Sequence, residues 1–416
     1  NFLTEQMDAF HARFLSAIRD TGYSGIVMAG NWQTGNNVSH YHNLHSDYKI
    51  GLIDRHNYFR GPRHALRRSN MDLNKRSMMN PPGSSILSSG MQQVADRPFM
   101  ISEWIHEQPS EWLVEGPAII GAYGMGLNGW DASYIFQNKD DARFSTRMGT
   151  DAWDVMLPQV AGSFFAISRQ VLRGDVAESP VTVPLKVHPE SLREGVSTAS
   201  FRTVQEHDVK SFDTDEVPSE TMAVARVAVE FTERPEETKS FDLYEYEKEG
   251  ALVSTTDQLR WYYNDEASGI SDGYFTMDTP ATVAFAGFAP GDKTFPLGGF
   301  QIQPEEGFST IYITALGEDE TFRSGGDLLI QAIARGRNAD VRYNEDETRL
   351  LEVGRGPLLL EPVEATVTVD AQVPFKVEKL THDGALTGEF IPVSGRSFRI
   401  DGARDKTPYY LLRWQP

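Results

Sequence analysis

Residues 98–104 read PFMISEW, a short apolar run that ends in a serine, a glutamate and a tryptophan. The run has the length and composition of a short buried strand. Three further runs of this kind lie at 25–29, 50–53 and 126–133. The segments between the runs carry apolar residues at helical spacing, and this alternation is typical of βα units around a parallel sheet.

The rest of the chain has a different pattern. Helices are predicted at 5–20, 38–47, 86–94 and 111–123, but from about residue 178 the sequence consists of β-branched and aromatic runs separated by turns. We therefore predict a fold that is α/β plus all-β. Residues 1–177 would form the second half of a (β/α)8 TIM barrel, followed by a β-sandwich domain at 178–345 and a small C-terminal β-sandwich at 346–416.

The composition narrows the class of protein. The chain has 416 residues, which is long for one domain, and 40% of them are hydrophobic. Cysteine is absent, which excludes disulfides and a cysteine nucleophile. The net charge of −20 argues against a nucleic-acid partner, and no apolar run has the length of a membrane helix. We expect a secreted, extracellular or periplasmic bacterial protein.

Active sites of (β/α)8 barrels lie at the carboxyl ends of the strands, so the residues after each apolar run are the candidates. Here those residues are unusually polar and aromatic. They are Asn31 and Trp32 after the first run, His56, Asn57 and Tyr58 after the second, Glu103 and Trp104 after the third, and Trp130 in the fourth. A carboxylate among such side chains suits a sugar, whose C–H face stacks on aromatic rings and whose hydroxyls bind amides and imidazoles.

Glu103 is the candidate catalytic residue. Hydrolysis of a glycosidic bond with retention uses two carboxyl groups about 5–5.5 Å apart, one as nucleophile and one as acid/base. We predict that Glu103 is the nucleophile, with a strand-end cap or salt bridge as its alternative role. His56 and Tyr58 would orient both Glu103 and the substrate, with an ordinary buried polar role as the alternative. The other side chains would bind substrate, as sugar platforms or hydroxyl partners: Asn31, Trp32, Asn57, Trp104 and Trp130.

These motifs resemble those of the clan A glycoside hydrolases. In that clan an Asn-Glu pair after the fourth strand supplies the acid/base, and a glutamate after the seventh strand is the nucleophile. Aligned on this pattern, SGIVMAGNWQ is the fifth strand, IGLIDRHNYF the sixth, PFMISEW the seventh and GLNGWDASYIF the eighth. The resemblance implies an acid/base upstream of Asn1, on an N-terminal fragment that completes the barrel. Glu5, the one early glutamate, suits the first turn of a helix.

Within the clan, the chain looks most similar to the β-agarase and β-porphyranase family, glycoside hydrolase family 86, whose barrel is followed by β-sandwich modules. This resemblance implies endo-acting cleavage of β-1,4-galactosidic bonds in red-algal galactans, through a glycosyl-enzyme intermediate on Glu103. Two alternatives stay open. One is another clan A hydrolase, such as an exo-β-galactosidase, a β-mannanase or a cellulase, and the other is a non-catalytic carbohydrate-binding protein.

A basic segment follows the second apolar run. Between residues 55 and 76 there are seven Lys and Arg residues against one Asp. We predict that Arg60, Arg67 and Arg68 bind substrate. Guanidinium groups match sulfate oxygens as they match phosphates, so the polysaccharide could be sulfated. The alternative is that these charges pair with the acidic surface.

No cofactor and no catalytic metal are expected. The sequence GMGLNG at 124–129 matches a dinucleotide fingerprint but precedes a strand instead of linking a strand to a helix. His40, His42 and His45 lie on a short polar helix without a shared face. The turn at 344–347 is a candidate site for structural calcium, with an ordinary exposed turn as the alternative.

Overall fold

The computed structural model describes residues 2–34, 37–59, 71–72, 76–137, 143–149, 153–196, 200–206, 209–264, 273–371 and 373–414. The N-terminal unit, up to residue 173, contains a small parallel sheet and several short helices. Its elements are α1 (Phe2–Asp20), α2 (Asn37–Tyr48), β1 (Ile53–Phe59), β2 (Met71–Asp72), a 3₁₀ segment (Leu87–Gln92), β3 (Phe99–His106), α3 (Glu115–Ile119), a π-helical segment (Ile120–Leu127), β4 (Ala132–Ile135), α4 (Pro158–Ala161) and α5 (Phe164–Arg173).

A connecting region follows the N-terminal unit and packs on it. Its elements are β5 (Thr182–Val187), α6 (Pro189–Arg193), β6 (Arg202–Glu206), β7 (Val209–Asp213), a 3₁₀ segment (Ser219–Ala223), β8 (Arg226–Phe231) and a second 3₁₀ segment (Leu243–Tyr246). β5 and β8 pair in parallel, and β6 and β7 form an antiparallel hairpin.

The remaining residues form a two-sheet unit that is almost entirely β-strand. Its elements are β9 (Glu247–Lys248), β10 (Ala251–Val253), β11 (Leu259–Tyr262), β12 (Tyr274–Asp278), β13 (Thr282–Ala289), β14 (Phe295–Leu297), β15 (Phe300–Pro304), β16 (Gly307–Ala315), β17 (Leu328–Ile333), β18 (Gly336–Ala339), β19 (Arg342–Tyr343), β20 (Arg349–Glu352), β21 (Arg355–Leu360), β22 (Glu364–Val369), β23 (Phe375–Leu380), β24 (Leu386–Ile391), β25 (Val393–Ser394), β26 (Ser397–Asp401), α7 (Gly402–Asp405) and β27 (Tyr409–Trp414).

The largest element of the fold is a ten-stranded antiparallel sheet in the order β24-β23-β27-β17-β16-β13-β12-β11-β10-β9. Successive side chains of a strand point to opposite faces. In β13, Val283 and Phe285 pack toward a five-stranded sheet in the order β14-β15-β22-β26-β25, whereas Ala284 and Ala286 pack toward the N-terminal unit. The ten-stranded sheet is therefore a central layer that is covered on both faces.

The expected second half of a (β/α)8 barrel is wrong. The described part of residues 1–177 contains one parallel sheet of three strands, in the order β1-β3-β4, and the molecule as a whole is dominated by antiparallel sheet. The run at 25–29 contributes only an isolated bridge, between Met28 and Leu52. The regular alternation of strand and helix that a barrel requires is not present in these residues.

Burial explains why the predicted helices differ from barrel helices. A barrel helix keeps one face in solvent, but every residue of the 3₁₀ segment Leu87–Gln92 and of α3 is buried. The predicted strand at 126–133 starts instead inside the π-helical segment, where Gly121 and Gly124 leave room for Ile167 and Trp130. The glycines of GAYGMGLNG therefore allow neighbouring elements to pack closely. Tyr123 in the same segment packs against Trp261 of the central sheet, with ring centroids 4.6 Å apart.

Strands from the two predicted sandwich domains share both sheets. β15, from the 178–345 range, pairs with β22, and β17 pairs with β27. Residues before and after 345 therefore enclose one common core in this structure. Among the described residues, no helix combines the length and the apolar character needed to cross a membrane.

A buried carboxyl group at the start of α3 affects stability. Glu115 is completely buried, and it accepts hydrogen bonds from the Ser77 hydroxyl at 2.5 Å and from the Met78 N–H at 2.7 Å. Burial raises the pKa of Glu115 to about 8. His106, 3.3 Å away, is also buried, and burial lowers its pKa to about 3. At neutral pH the two side chains are therefore both uncharged.

We expect Glu115→Gln to flatten the pH dependence of stability. A group whose pKa is raised on folding contributes its full stability below its pKa in the unfolded chain, which is near 4.5 for Glu115. This contribution is lost as pH rises toward 8, the pKa of the group in the folded protein. Between pH 5 and 8, ionisation of Glu115 should lower the free energy of unfolding of the wild type by on the order of 3 kcal/mol. Urea unfolding of both proteins at the two pH values measures the difference. Exposed Glu245→Gln is the control, and equal pH dependence in wild type and Glu115→Gln would contradict the account.

Candidate active site

The central and C-terminal parts of β1 and β3 bring the candidate residues together. The two strands are parallel neighbours, and His56 lies opposite Glu103. The register shifts by one residue, from Arg55 opposite Ile101 to His56 opposite Glu103, which makes Ser102 an extra residue in β3. Such a bulge redirects side chains. Here it allows the adjacent residues Ser102 and Glu103 both to contact His56.

Both carboxylate oxygens of Glu103 have a partner. Oε2 lies 2.8 Å from Nδ1 of His56, and Oε1 accepts a hydrogen bond from the hydroxyl of Tyr58. His56 and Tyr58 are two residues apart on β1 and therefore lie on the same face of the sheet. The Glu103 side chain stays 24% exposed. The carboxylate is thus held in position and remains accessible from solvent.

A chain of hydrogen bonds extends from His56 into the interior. Nε2 of His56 lies 2.9 Å from Oγ of Ser102, which donates to Oδ2 of the buried Asp54 at 2.6 Å. The Ser102 N–H donates to the other Asp54 oxygen at 2.9 Å. Burial lowers the pKa of His56, while the charges of Glu103 and Asp54 oppose that effect. Burial raises the pKa of Asp54, whereas the hydrogen bonds from Ser102 act to lower it.

Aromatic side chains border this face of the sheet. Trp32 is 74% exposed, and its ring centroid lies 6.4 Å from that of His56. The ammonium group of Lys210, on the β6–β7 hairpin, lies 5.6 Å from the centroid of Trp32. The ring centroid of Trp153 lies 6.2 Å from that of Tyr58. A flat exposed ring next to a held carboxylate is an arrangement that suits a sugar.

The chain matches no known protein family, no curated protein and no solved structure in the comparisons. The assignment of a function therefore depends on the geometry around Glu103. The resemblance to the clan A glycoside hydrolases, and to the agarase and porphyranase family within it, stays a prediction from the sequence.

The structure turns three of the predicted substrate-binding residues away from this face. Asn57 is buried, and its amide exchanges two hydrogen bonds with the backbone of Lys210, at 2.8 and 3.1 Å. Trp104 is buried and donates to Ser133 Oγ at 2.8 Å. Trp130 is buried against Phe99. Sugar contacts by these three side chains do not fit their positions, and all three pack the interior instead.

The remaining predicted residues divide into two groups. Asn31 is half-buried next to Trp32, close to the candidate site in sequence. Arg60, Arg67 and Arg68 lie outside the described residues. The acid/base was expected upstream of Asn1.

Several residues around Glu103 were not given a role from the sequence. Ser102 contacts His56 and donates to Asp54, and Gln33 donates to the His56 carbonyl oxygen at 2.8 Å. Ser102 directly precedes Glu103, and Asp54 lies two residues before His56, so their positions in the sequence could have indicated a role in the site. Lys210 and Trp153 carried none, because they are distant in sequence and reach the site only through tertiary packing.

The histidines of α2 and the turn at 344–347 are the two other polar clusters considered from the sequence. His40 stacks on Phe201 with ring centroids 3.6 Å apart, and burial holds its pKa well below the usual value. In the turn at 344–347, Asn344 and Asp346 form hydrogen bonds with Thr348. Over the described ranges, no three acidic, His or Cys side chains are grouped as metal ligands would be.

Proposed function

We propose that the site around Glu103 is that of a retaining glycoside hydrolase. The observation that supports this proposal is the solvent-accessible Glu103 carboxylate in β3, which His56 and Tyr58 hold. The exposed ring of Trp32 lies next to His56, with ring centroids 6.4 Å apart. An isolated carboxylate that only caps a strand would not need two side-chain partners and an open face. The substrate class that we propose is a red-algal galactan, cleaved internally at β-1,4-galactosidic bonds.

The proposed chemistry has two steps. A Glu103 oxygen attacks the anomeric carbon as the bond to the leaving oxygen breaks, which gives a glycosyl ester. Water then attacks the same carbon and releases Glu103 as a carboxylate. The Tyr58 hydroxyl would hold the oxygen that does not attack. Trp32 would support the sugar ring, as aromatic faces do for apolar C–H surfaces.

The leaving oxygen needs a proton in the first step. A retaining enzyme supplies it from a carboxyl group about 5–5.5 Å from the nucleophile. We propose that a further polypeptide segment provides this acid/base. A leaving group that departs as a stable anion needs no proton, so activated aryl glycosides can report on Glu103 alone.

A non-catalytic role in carbohydrate binding is the second candidate, and the large exposed area of Trp32 is the observation that favours it. Release of reducing sugar from agarose, porphyran, mannan and cellulose, with wild type and Glu103→Gln, separates the two functions. If the wild type releases reducing sugar and Glu103→Gln does not, the result supports a hydrolase. The polysaccharide that is cleaved then identifies the substrate class. Binding without release, together with no turnover of activated galactosides, would favour the binding protein.

The basic segment gives a prediction about charge on the substrate. If Arg67 and Arg68 bind sulfate, replacing both with Ala should weaken the binding of porphyran by roughly tenfold or more, since charge-assisted hydrogen bonds contribute about 1.5–3 kcal/mol each. Binding of neutral agarose should change little. Affinity electrophoresis in gels that contain either polysaccharide measures both. Arg342→Ala, which removes an exposed arginine of the two-sheet unit, is the control, and equal effects on the two polysaccharides would contradict the prediction.

A further inference from the structure

Three hydrogen bonds connect Asp54 to Glu103 in one line. They run from Asp54 to Ser102, from Ser102 to His56 and from His56 to Glu103, with heavy-atom distances of 2.6, 2.9 and 2.8 Å. Each of these contacts needs one hydrogen atom between its two partners. A carboxylate lies at each end, so the direction of every bond in the line depends on where the protons are.

The buried end fixes the direction. The Ser102 backbone N–H can only donate, and it occupies Oδ1 of Asp54. The Ser102 hydroxyl donates to Oδ2. The Ser102 oxygen can then only accept from His56, so Nε2 of His56 carries a hydrogen. In the neutral imidazole with this tautomer, Nδ1 has a lone pair and no hydrogen.

At the exposed end this creates a conflict. Nδ1 of neutral His56 and Oε2 of ionised Glu103 would both be acceptors, only 2.8 Å apart. The contact is favourable only when a proton lies between the two atoms, as an imidazolium facing a carboxylate or a neutral imidazole facing a carboxylic acid.

We propose that Asp54, acting through Ser102, fixes His56 in the Nε2–H tautomer, so that the His56–Glu103 contact holds only while the two side chains share a proton. Asp54 is then a positioning residue, because it is buried and acts on Glu103 only through other side chains. Its consequence for catalysis rests on the proposed function of Glu103. Rising pH removes the shared proton, frees Glu103 from His56 and leaves Tyr58 as its remaining partner among the contacts described.

Other charges near His56 agree with this arrangement. Glu103 on β3 and Asp54 on β1 favour the imidazolium, whereas burial and Lys210 on β7 disfavour it and lower the His56 pKa. Behind Asp54, the buried Arg55 favours its ionised form and is itself paired with Asp47 at 2.9 Å. The two carboxylates therefore favour the proton that the His56–Glu103 contact needs, whereas burial and Lys210 work against it.

Asp54→Asn should reverse the line of hydrogen bonds. The amide oxygen must still face the Ser102 N–H, which leaves the amide NH₂ to donate to the Ser102 hydroxyl oxygen. The hydroxyl then donates to Nε2 of His56, and neutral His56 takes the Nδ1–H tautomer. That tautomer donates to ionised Glu103 without any extra proton. One near-isosteric change should thus switch the tautomer and remove the need for the shared proton.

Nuclear magnetic resonance of the full chain with ¹⁵N-labelled histidine tests this directly. Long-range ¹⁵N–¹H correlations distinguish a protonated from an unprotonated ring nitrogen, and His56→Gln assigns the signals. The neutral His56 should be Nε2–H in the wild type and Nδ1–H in Asp54→Asn. Asp131→Asn is the matched control, because Asp131 also accepts a backbone N–H of β3, from Phe99 at 2.9 Å. The control should keep the wild-type tautomer.

Two outcomes would overturn the inference. They are an Nδ1–H tautomer in the wild type, or the same tautomer in wild type and Asp54→Asn. Should Asp54→Asn fail to fold, Ser102→Ala provides the test, because it keeps the backbone bond to Asp54 but removes the acceptor of Nε2. Its neutral His56 should lose the Nε2–H preference, and an unchanged tautomer would overturn the inference equally.

The pH profile of activated-galactoside cleavage separates this inference from the proposed function. If both are correct, the cleavage rate of the wild type should fall at alkaline pH, where the proton shared by His56 and Glu103 is lost. In Asp54→Asn, which does not need that proton, this fall should move to higher pH by roughly one unit or more. A tautomer switch without any cleavage by the wild type would support the inference and refute the hydrolase. Cleavage that depends on Glu103, with no tautomer switch, would do the opposite.

Discussion

Glu103→Gln should reduce cleavage of a 2,4-dinitrophenyl β-galactoside by on the order of 10⁴-fold or more, the scale of loss when a covalent nucleophile is removed. The amide keeps the size of the side chain and an oxygen for the Tyr58 hydroxyl, so the fold should be unaffected. It cannot form the ester. Because dinitrophenolate leaves without a proton, the assay does not depend on the acid/base.

Two further variants make this result specific to Glu103. Tyr58→Phe removes one hydrogen bond to the carboxylate and should cost roughly 10–100-fold, in line with loss of one charge-assisted bond. Glu107→Gln is the matched control, because Glu107 is also a glutamate near the end of β3 and accepts from Trp153 at 3.1 Å. Its rate should stay close to that of the wild type. A Glu103→Gln protein with an undiminished rate would exclude Glu103 as the nucleophile.

Glu111→Ala should destabilise the protein by about 2–3 kcal/mol, the scale expected when a buried carboxylate loses charge-assisted hydrogen bonds. The Glu111 side chain is only 4% exposed and receives hydrogen bonds from Arg335 at 2.9 Å and Arg337 at 2.5 Å. Both arginines belong to the two-sheet unit, whereas Glu111 lies between β3 and α3. Without Glu111 the two neighbouring guanidinium groups would lose the carboxylate that they share at the interface.

The same network contains a control. Glu361 also pairs with Arg335, at 2.5 Å, but its side chain is 40% exposed. Solvent screens such a pair, so Glu361→Ala should cost no more than about 1 kcal/mol. Urea unfolding of the three proteins at one pH compares them. Equal losses for Glu111→Ala and Glu361→Ala would show that the buried network does not hold the two units together.

Local patterns in the sequence predicted the parts of the site that depend on neighbouring residues. The apolar run in PFMISEW indicated the strand that carries Glu103, and the i, i+2 spacing of His56 and Tyr58 places both on one face of β1. The β-branched runs after residue 178 likewise indicated strands. These features follow from side-chain alternation and burial, which act over a few residues.

The errors came from interactions between distant residues. Nothing local in β17 specifies β27 as its partner about 80 residues later, so the single pair of large sheets could not be predicted. Asn57 and Trp104 lie inside β1 and β3, and Trp130 lies just before β4. The β6–β7 hairpin and Gly116, Gly90 and Gly124 provide buried space for these side chains. Trp32, in contrast, remains exposed. Polar and aromatic strand ends therefore indicated a site without showing which side chains face it.

The central claim is that Glu103 forms a covalent bond with a sugar. A 2,4-dinitrophenyl 2-deoxy-2-fluoro-β-galactoside has a good leaving group, and its fluorine slows hydrolysis of the ester, so the intermediate should accumulate. Mass spectrometry of the intact protein and of its peptides then locates the sugar. We expect one added fluorosugar per chain, on Glu103. An unchanged mass, or a sugar attached to any other residue, would contradict it.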